Sequence, residues 1–334
     1  MDYSDYPATA AEDIIRLRRR IASSQIPRKI YDHNLIIGSW NIRTFGNIYK
    51  EWTENPNSPK RNMRGMAYIF EIIKRFDVIA IQEVRSNTTA FRYLQNEFLG
   101  DDWGVILSDT TAGSNSERLA YIYDKRRIKP TGLAGEIVIP PNEDGNPQEQ
   151  FDRTPYIGGF QAKEEHFSLL TAHIKYGDSA SDRVPEIQSL SDYIVDELYE
   201  RSKSSGEEKN LIVLGDFNID TRGDNPLFNA FVSSGLYVPD ALLNLKTTFN
   251  SDPKHYDQIA WFRDDLDLLY RGRAGVIDFA GSVYQDLSMN SMSFRVSDHF
   301  PLWVEFIIDR SVEKIGKKLG INADNLAGFS AISD

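Results

Sequence analysis

Two hydrophobic rhythms alternate along this chain. Unbroken aliphatic runs, the pattern of strands covered on both faces, occur at Leu35-Ile36-Ile37-Gly38-Ser39-Trp40-Asn41-Ile42-Arg43, Asp77-Val78-Ile79-Ala80-Ile81-Gln82-Glu83 and Leu211-Ile212-Val213-Leu214-Gly215-Asp216-Phe217-Asn218. Trp103–Leu107, Tyr256–Trp261 and Pro301–Ile308 predict further strands. Glu117–Tyr123 with Lys129–Ile139, and Tyr156–Gln161 with His166–His173, predict two pairs of neighbouring strands. Helical spacing appears at Met66, Ile69, Phe70 and Ile73, at Phe91, Leu94 and Phe98, and at Val184, Ile187, Leu190, Ile194 and Leu198. Leu227–Ser233 predicts one more short helix, and Asn47–Lys60, with three Asn and two Pro, reads as a loop.

Near the N-terminus, Ala11–Ser24 predicts a helix that packs Ile14, Leu17 and Ile21 and is stopped by Pro27. Its Arg16, Arg18, Arg19 and Arg20 form a solvated face or a docking arm for an acidic partner, a regulatory protein or a nucleic acid. Strands and helices interleave without a repeat or a dividing linker. That pattern predicts a layered α/β (α+β) fold with sheets packed inside helices. It places one catalytic domain at 31–310, between an N-terminal helical arm (1–30) and a C-terminal tail (311–334).

The strand-like runs share a chemistry at their ends: Asn41, Glu83, His173, Asp216 and Asn218, with Asp298 and His299 just before the last strand. Ligands gather at the carboxyl ends of strands in α/β sheets. Asn and carboxylate oxygens are hard ligands suited to Mg²⁺, with Mn²⁺ as the alternative, and Glu83 with Asn41 fits the sparse protein ligation of Mg²⁺. A pair of His can act as acid and base at neutral pH, each needing an orienting carboxylate. Of five His in the chain, His173 and His299 sit at strand ends, whereas His33, His166 and His255 read as structural. Glu117 and Asp257 are the candidate orienting carboxylates; ordinary strand-edge carboxylates are the alternative. Arg43, Arg85, Arg118 and Arg153 cluster near the same ends, and the guanidinium fork suits phosphate.

Composition narrows the picture in two respects. The absence of cysteine excludes disulfides, thiolate catalysis and cysteine-ligated zinc. A net charge of −11 argues against binding through a globally basic surface, but a bound cation and a local basic rim are compatible with a phosphate substrate. No apolar run reaches membrane-spanning length. The N-terminus lacks the apolar core of a secretion signal, so the chain reads as cytoplasmic, or as secreted if a leader preceded residue 1.

The motifs Asn41-Ile42-Arg43-Thr44-Phe45-Gly46, Ile81-Gln82-Glu83-Val84-Arg85, Glu117-Arg118, Arg153-Thr154-Pro155, Ala172-His173, Gly215-Asp216-Phe217-Asn218, Tyr256-Asp257 and Ser297-Asp298-His299-Phe300-Pro301 follow in this order. The chain thereby resembles the endonuclease/exonuclease/phosphatase superfamily and, within it, the deoxyribonuclease I branch. The resemblance implies a four-layer sandwich of two β-sheets flanked by helices, and metal-dependent cleavage of phosphodiesters, DNA first among them. A phosphatase or phosphodiesterase acting on a lipid, inositol or nucleotide phosphate is the alternative. By the same resemblance Glu83 and Asn41 help hold Mg²⁺ with Asp298 nearby, and Asp216 and Asn218 bind the scissile phosphate or the metal. His173 with Glu117 and His299 with Asp257 form the acid–base pair, and Arg43, Arg85 and Arg153 contact nucleic acid or phosphate. Three features depart from the branch. Asn115 or Ser116 stands where a groove-probing Tyr is expected, Gln258 stands where an Arg follows the Tyr-Asp pair, and the loop from Asn47 to Arg61 is long. Trp52 in that loop is expected to take over the groove-probing role.

Overall fold

The first aliphatic run forms β1 (Asn34–Phe45), which lies parallel to β2 (Val78–Arg85) and antiparallel to the last strand, β11 (Leu302–Ile307). The other strands are β3 (Trp103–Leu107), β4 (Glu117–Asp124), β5 (Ile128–Glu136), β6 (Tyr156–Ala162), β7 (Glu165–His173), β8 (Leu211–Asp216), β9 (Asp257–Trp261) and β10 (Leu269–Val276). They make two mixed sheets, in the orders β10-β11-β1-β2-β4-β3 and β5-β6-β7-β8-β9. The computed structural model describes residues 3–110, 116–142, 144–194, 210–249 and 251–320. Leu198, the 111–115 stretch with Asn115, and the tail from 321 onward lie outside the described residues.

Helices cover both outer faces, giving four layers. α1 (Ala8–Ser23), α2 (Met63–Ile73) and α3 (Thr89–Tyr93), which widens into a π turn over Leu94–Leu99, pack on the six-stranded sheet. α4 (Val184–Tyr193) and α5 (Pro226–Val232) pack on the five-stranded one. α6 (Met289–Ser293) precedes the His299 loop, and α7 (Ser311–Leu319) follows β11. Strand alternation divides the six-stranded sheet between two cores. Leu35, Ile37, Val78, Ala80, Leu119 and Tyr121 meet the second sheet, whereas Ile36, Trp40, Ile79, Ile81 and Ile122 meet the helices. No helix among the described residues is long and apolar enough to cross a membrane.

Two expectations are corrected, and one strand is added. β4 and β5, though consecutive, do not pair: β4 lies between β2 and β3, and β5 joins β6 in the other sheet. The turn between them is anchored away from a hairpin, because Arg126 bonds Asp124 and Arg127 reaches the Asn34 carbonyl and the buried Asp77. β10 escaped the hydrophobic pattern. It is an edge strand whose Arg271, Gly272 and Arg273 are exposed, so its sequence carries neither an apolar run nor a clean alternation. Trp52 does not project as a probe: its ring packs on Tyr6, centroids 4.6 Å apart, and joins the helix-side core.

Candidate active site

At one end of the sandwich the core between the sheets turns polar. The face of β1 that carries Leu35 and Ile37 continues as Ser39 and Asn41, and that of β2 continues from Ala80 to Gln82. Gln82 Nε2 donates to Ser39 Oγ at 3.2 Å and across the gap to Thr171 Oγ1 at 2.9 Å, closing a polar floor between the sheets. Above it the second sheet sets three site residues side by side, since the register pairs His173 with Asp216 and Asp216 with Asp257.

Strand alternation would send Glu83 to the helix side. Instead Glu83 has φ +62°, and the β1–β2 and β2–β4 ladders both shift register beside it. A bulge of this kind re-aims a side chain, here in a backbone region that a glutamate rarely occupies. The carboxylate accepts from Asn41 Nδ2 at 3.0 Å and from the Thr44 amide at 2.7 Å. Asn41 Nδ2 also donates to Asp216 Oδ2 at 2.9 Å, so both sheets meet at this amide, and its buried Oδ1 accepts no hydrogen bond from the described residues.

Asp216 is held by Gly215, which has φ +145° and whose missing Cβ would run into the Ala172 carbonyl oxygen of the adjacent strand. Gly215→Ala is expected to destabilise the fold by more than about 1 kcal/mol, because backbone strain and a displaced strand add. An unchanged urea midpoint would count against that account. Asn218, at φ +52°, returns its amide to Asp216 Oδ1 at 3.0 Å and ties Nδ2 to the Ile174 carbonyl at 2.7 Å, fixing the ends of β7 and β8 together.

Two imidazoles converge on Asp216. His173 Nδ1 is 2.9 Å from Glu117 Oε2, and its Nε2 lies 3.6 Å from Asp216 Oδ2. His299 Nδ1 is 2.8 Å from Asp257 Oδ2, and its Nε2 lies 3.8 Å from the same Asp216 oxygen. Burial opposes charge on both rings. The Glu117 bond and the nearby Asp216 nevertheless raise His173, and Asp257 and Asp216 together push His299 up to about 10. Burial would also raise Glu117, but its bond to His173 and the charges of His173, Arg153 and Arg85 hold it at about 2. Asp216 is held down against burial by the two imidazoles, whereas burial leaves Asp257 raised.

These directions set opposite limbs of a stability profile. Glu117, depressed from 4.5, contributes stability that is present above that value and lost as pH falls through about 2. His299, raised from 6.5, contributes stability that is complete below that value and lost as pH rises through about 10. Melting of the metal-free protein should therefore decline on both sides of neutrality. His299→Gln should flatten the alkaline limb and Glu117→Gln the acid one; unchanged limbs would refute the assignment.

The predicted arginines divide. Arg85 bridges Glu117 Oε1 at 3.3 Å and Glu83 Oε2 at 3.7 Å, and Arg153 Nε lies 2.9 Å from Glu117 Oε2. Arg43 sits at the rim, 3.3 Å from Asp298 and stacked 3.8 Å from the Phe294 centroid. Asp298 thus faces Arg43, with no hydrogen bond or ion pair to Asn41 or Glu83 among the described residues. Arg118, the next residue after inward-facing Glu117, turns to the other face and bonds the Ser108 carbonyl and Asp109.

Several residues acting on the site escaped sequence reasoning. Ser297 Oγ donates to the Asn41 carbonyl at 2.6 Å and accepts from the His299 amide at 3.0 Å. Arg222 donates to Gln258 Oε1 and to the Asp257 carbonyl, both at 2.8 Å, supplying from another loop a guanidinium beside the Tyr-Asp pair. Arg61, fully buried, donates to the carbonyls of Arg43, Thr44, Arg295 and Val296, clamping the exit of β1 to the His299 loop. Donors to main-chain carbonyls leave no spacing signal.

Among the described residues, two donor sets suit a hard cation. Asn41 Oδ1 and Glu83 form one. In the other, Asp216, Asp257 and His299 place ligating atoms within 4.8 Å of one another. In that second set the His299–Asp257 contact is already a hydrogen bond, whereas Asn41 Oδ1 is a buried acceptor without a donor among the described residues.

A model of the endonuclease/exonuclease/phosphatase family matches residues 38–299. A deoxyribonuclease of Thioalkalivibrio sp. (strain K90mix) is 29% identical over 286 residues, spanning 82% of this chain and 71% of that protein. Deoxyribonuclease-1 of Bos taurus is 28% identical over 286 residues, spanning 81% and 92%. A mannosyl-6-phosphatase of Bacteroides thetaiotaomicron shares the fold with a TM-score of 0.54 at 19% identity, over 81% of this chain and 99% of that one.

Proposed function

From the premise that this chain belongs to the endonuclease/exonuclease/phosphatase family, we propose that it is a Mg²⁺-dependent endonuclease hydrolysing phosphodiester bonds of DNA. The observation that carries the reading is the pair of imidazoles, each backed by its own carboxylate, presenting Nε2 to one shared Asp216 oxygen. In the proposed reaction one imidazole, in its neutral form, takes a proton from the attacking water. The other, protonated, passes its proton to the leaving oxygen. Glu117 and Asp257 fix the ring tautomers and support the cationic form. Arg43, Arg85 and Arg153 receive the phosphates of the strand; Arg118, on the other face, is left out of that set. Asn41 Oδ1 and Glu83 would hold the cation, which when bound polarises a phosphate oxygen and offsets developing charge. The two deoxyribonuclease relatives favour DNA as substrate.

Plasmid nicking with and without chelator, beside RNA and small phosphate esters, tests the reading. Chelator-sensitive nicking is the expected result. If DNA and RNA stay intact at high enzyme while a small ester is cleaved, the nuclease reading fails in favour of a phosphatase acting on a lipid, inositol or nucleotide phosphate.

A further inference from the structure

Three residues beyond His173 the chain presents Tyr176, which is 55% exposed yet held on several sides. Arg183 Nε donates to its carbonyl at 2.7 Å, and the guanidinium lies 4.4 Å from the ring centroid. Arg183 is itself buried and pinned to the Asn218 carbonyl at 2.6 Å and to Asp220 at 3.1 Å, so the residue that braces the Asp216–Asn218 turn also braces this ring. Tyr176 then meets Tyr256 edge to face, centroids 6.2 Å apart, and Tyr256 lies 6.0 Å from the His299 imidazole. A cation thus backs an aromatic ring that is open to solvent and two ring contacts from the reacting centre. Fixing such a ring in advance removes an ordering cost from binding, and every nucleobase has a face that can stack on it.

We propose that Tyr176 is a stacking platform for a nucleobase next to the phosphate being cleaved, so that the substrate is a nucleic acid strand with an accessible base at that point. The proposal rests on the nuclease reading and narrows it. A sugar or inositol phosphate has no flat aromatic ring to stack there.

The test compares wild type, Tyr176→Ala and Tyr176→Phe on a single-stranded oligonucleotide and on an abasic deoxyribose-phosphate chain of the same length, with a plasmid-nicking control. Tyr176→Ala should raise KM on the oligonucleotide roughly tenfold to a hundredfold, the scale of one lost base–aromatic stack. Its kcat should change little, Tyr176→Phe should behave as wild type, and neither variant should alter KM on the abasic chain. An equal KM change on both chains, or none on either, overturns the platform. So does a wild type that nicks duplex plasmid but leaves the single strand intact. A wild type that cleaves no nucleic acid at all removes the nuclease premise instead. Melting curves of the variants separate misfolding from loss of the stack.

Discussion

His173→Ala is expected to lower turnover on DNA by roughly two to four decades, the range over which a positioned acid or base accelerates a reaction. The substitution removes one of two proton carriers while the fold around it should survive. Glu117, which loses its imidazole partner, keeps Arg153 at 2.9 Å and Arg85 at 3.3 Å, so its charge is not stranded in the interior. The loss should appear in kcat with KM nearly unchanged, and the pH–rate profile should lose one limb. Because the imidazoles work on one bond together, adding His299→Ala should cost far less than a second full factor. Single-turnover cleavage of a labelled duplex measures both effects. A near-wild-type rate for His173→Ala would remove it from the mechanism.

Glu83→Gln is the second large effect. The substitution keeps the size of the side chain and deletes the charge at the left-handed turn where the two ladders shift. Affinity for Mg²⁺ or Mn²⁺ should weaken on the order of 10–100-fold, at least the loss typical of disturbing a residue that only supports a metal ligand. Each tenfold corresponds to about 1.4 kcal/mol, and ion-induced thermal stabilisation should shrink accordingly in the absence of any substrate. Part of the lost activity should return at high metal concentration. Unchanged stabilisation by the ion would place the cation elsewhere, with Asp216, Asp257 and His299 as the alternative donor set.

Much of the framework was written in the side-chain pattern. β1, β2 and β8 were legible because both their faces are buried, which demands unbroken apolar runs, and their polar ends were conspicuous for interrupting those runs. Sheet membership was not legible. Alternation reports which face of a strand is buried, not which neighbour it pairs with, so the pattern carries no sign that β4 and β5, consecutive in the chain, lie in different sheets. Inward-pointing Glu83 could be suspected from its motif, but the local turn that aims it has no signature short of coordinates. The supporting cations were hidden for a different reason. Arg61, Arg183 and Arg222 are engaged largely through main-chain carbonyls, which every residue possesses.

The buried Arg61 changes what the long connection after β1 means. Its guanidinium satisfies carbonyls on both halves of the site, and excising it would leave acceptors that water cannot easily reach. The stretch is therefore not a detachable cassette. A chimera that imports a shorter connection from a related protein should lose its folded yield before its grip on any polymer can be measured, unless a second change rebuilds the staple from the opposite side.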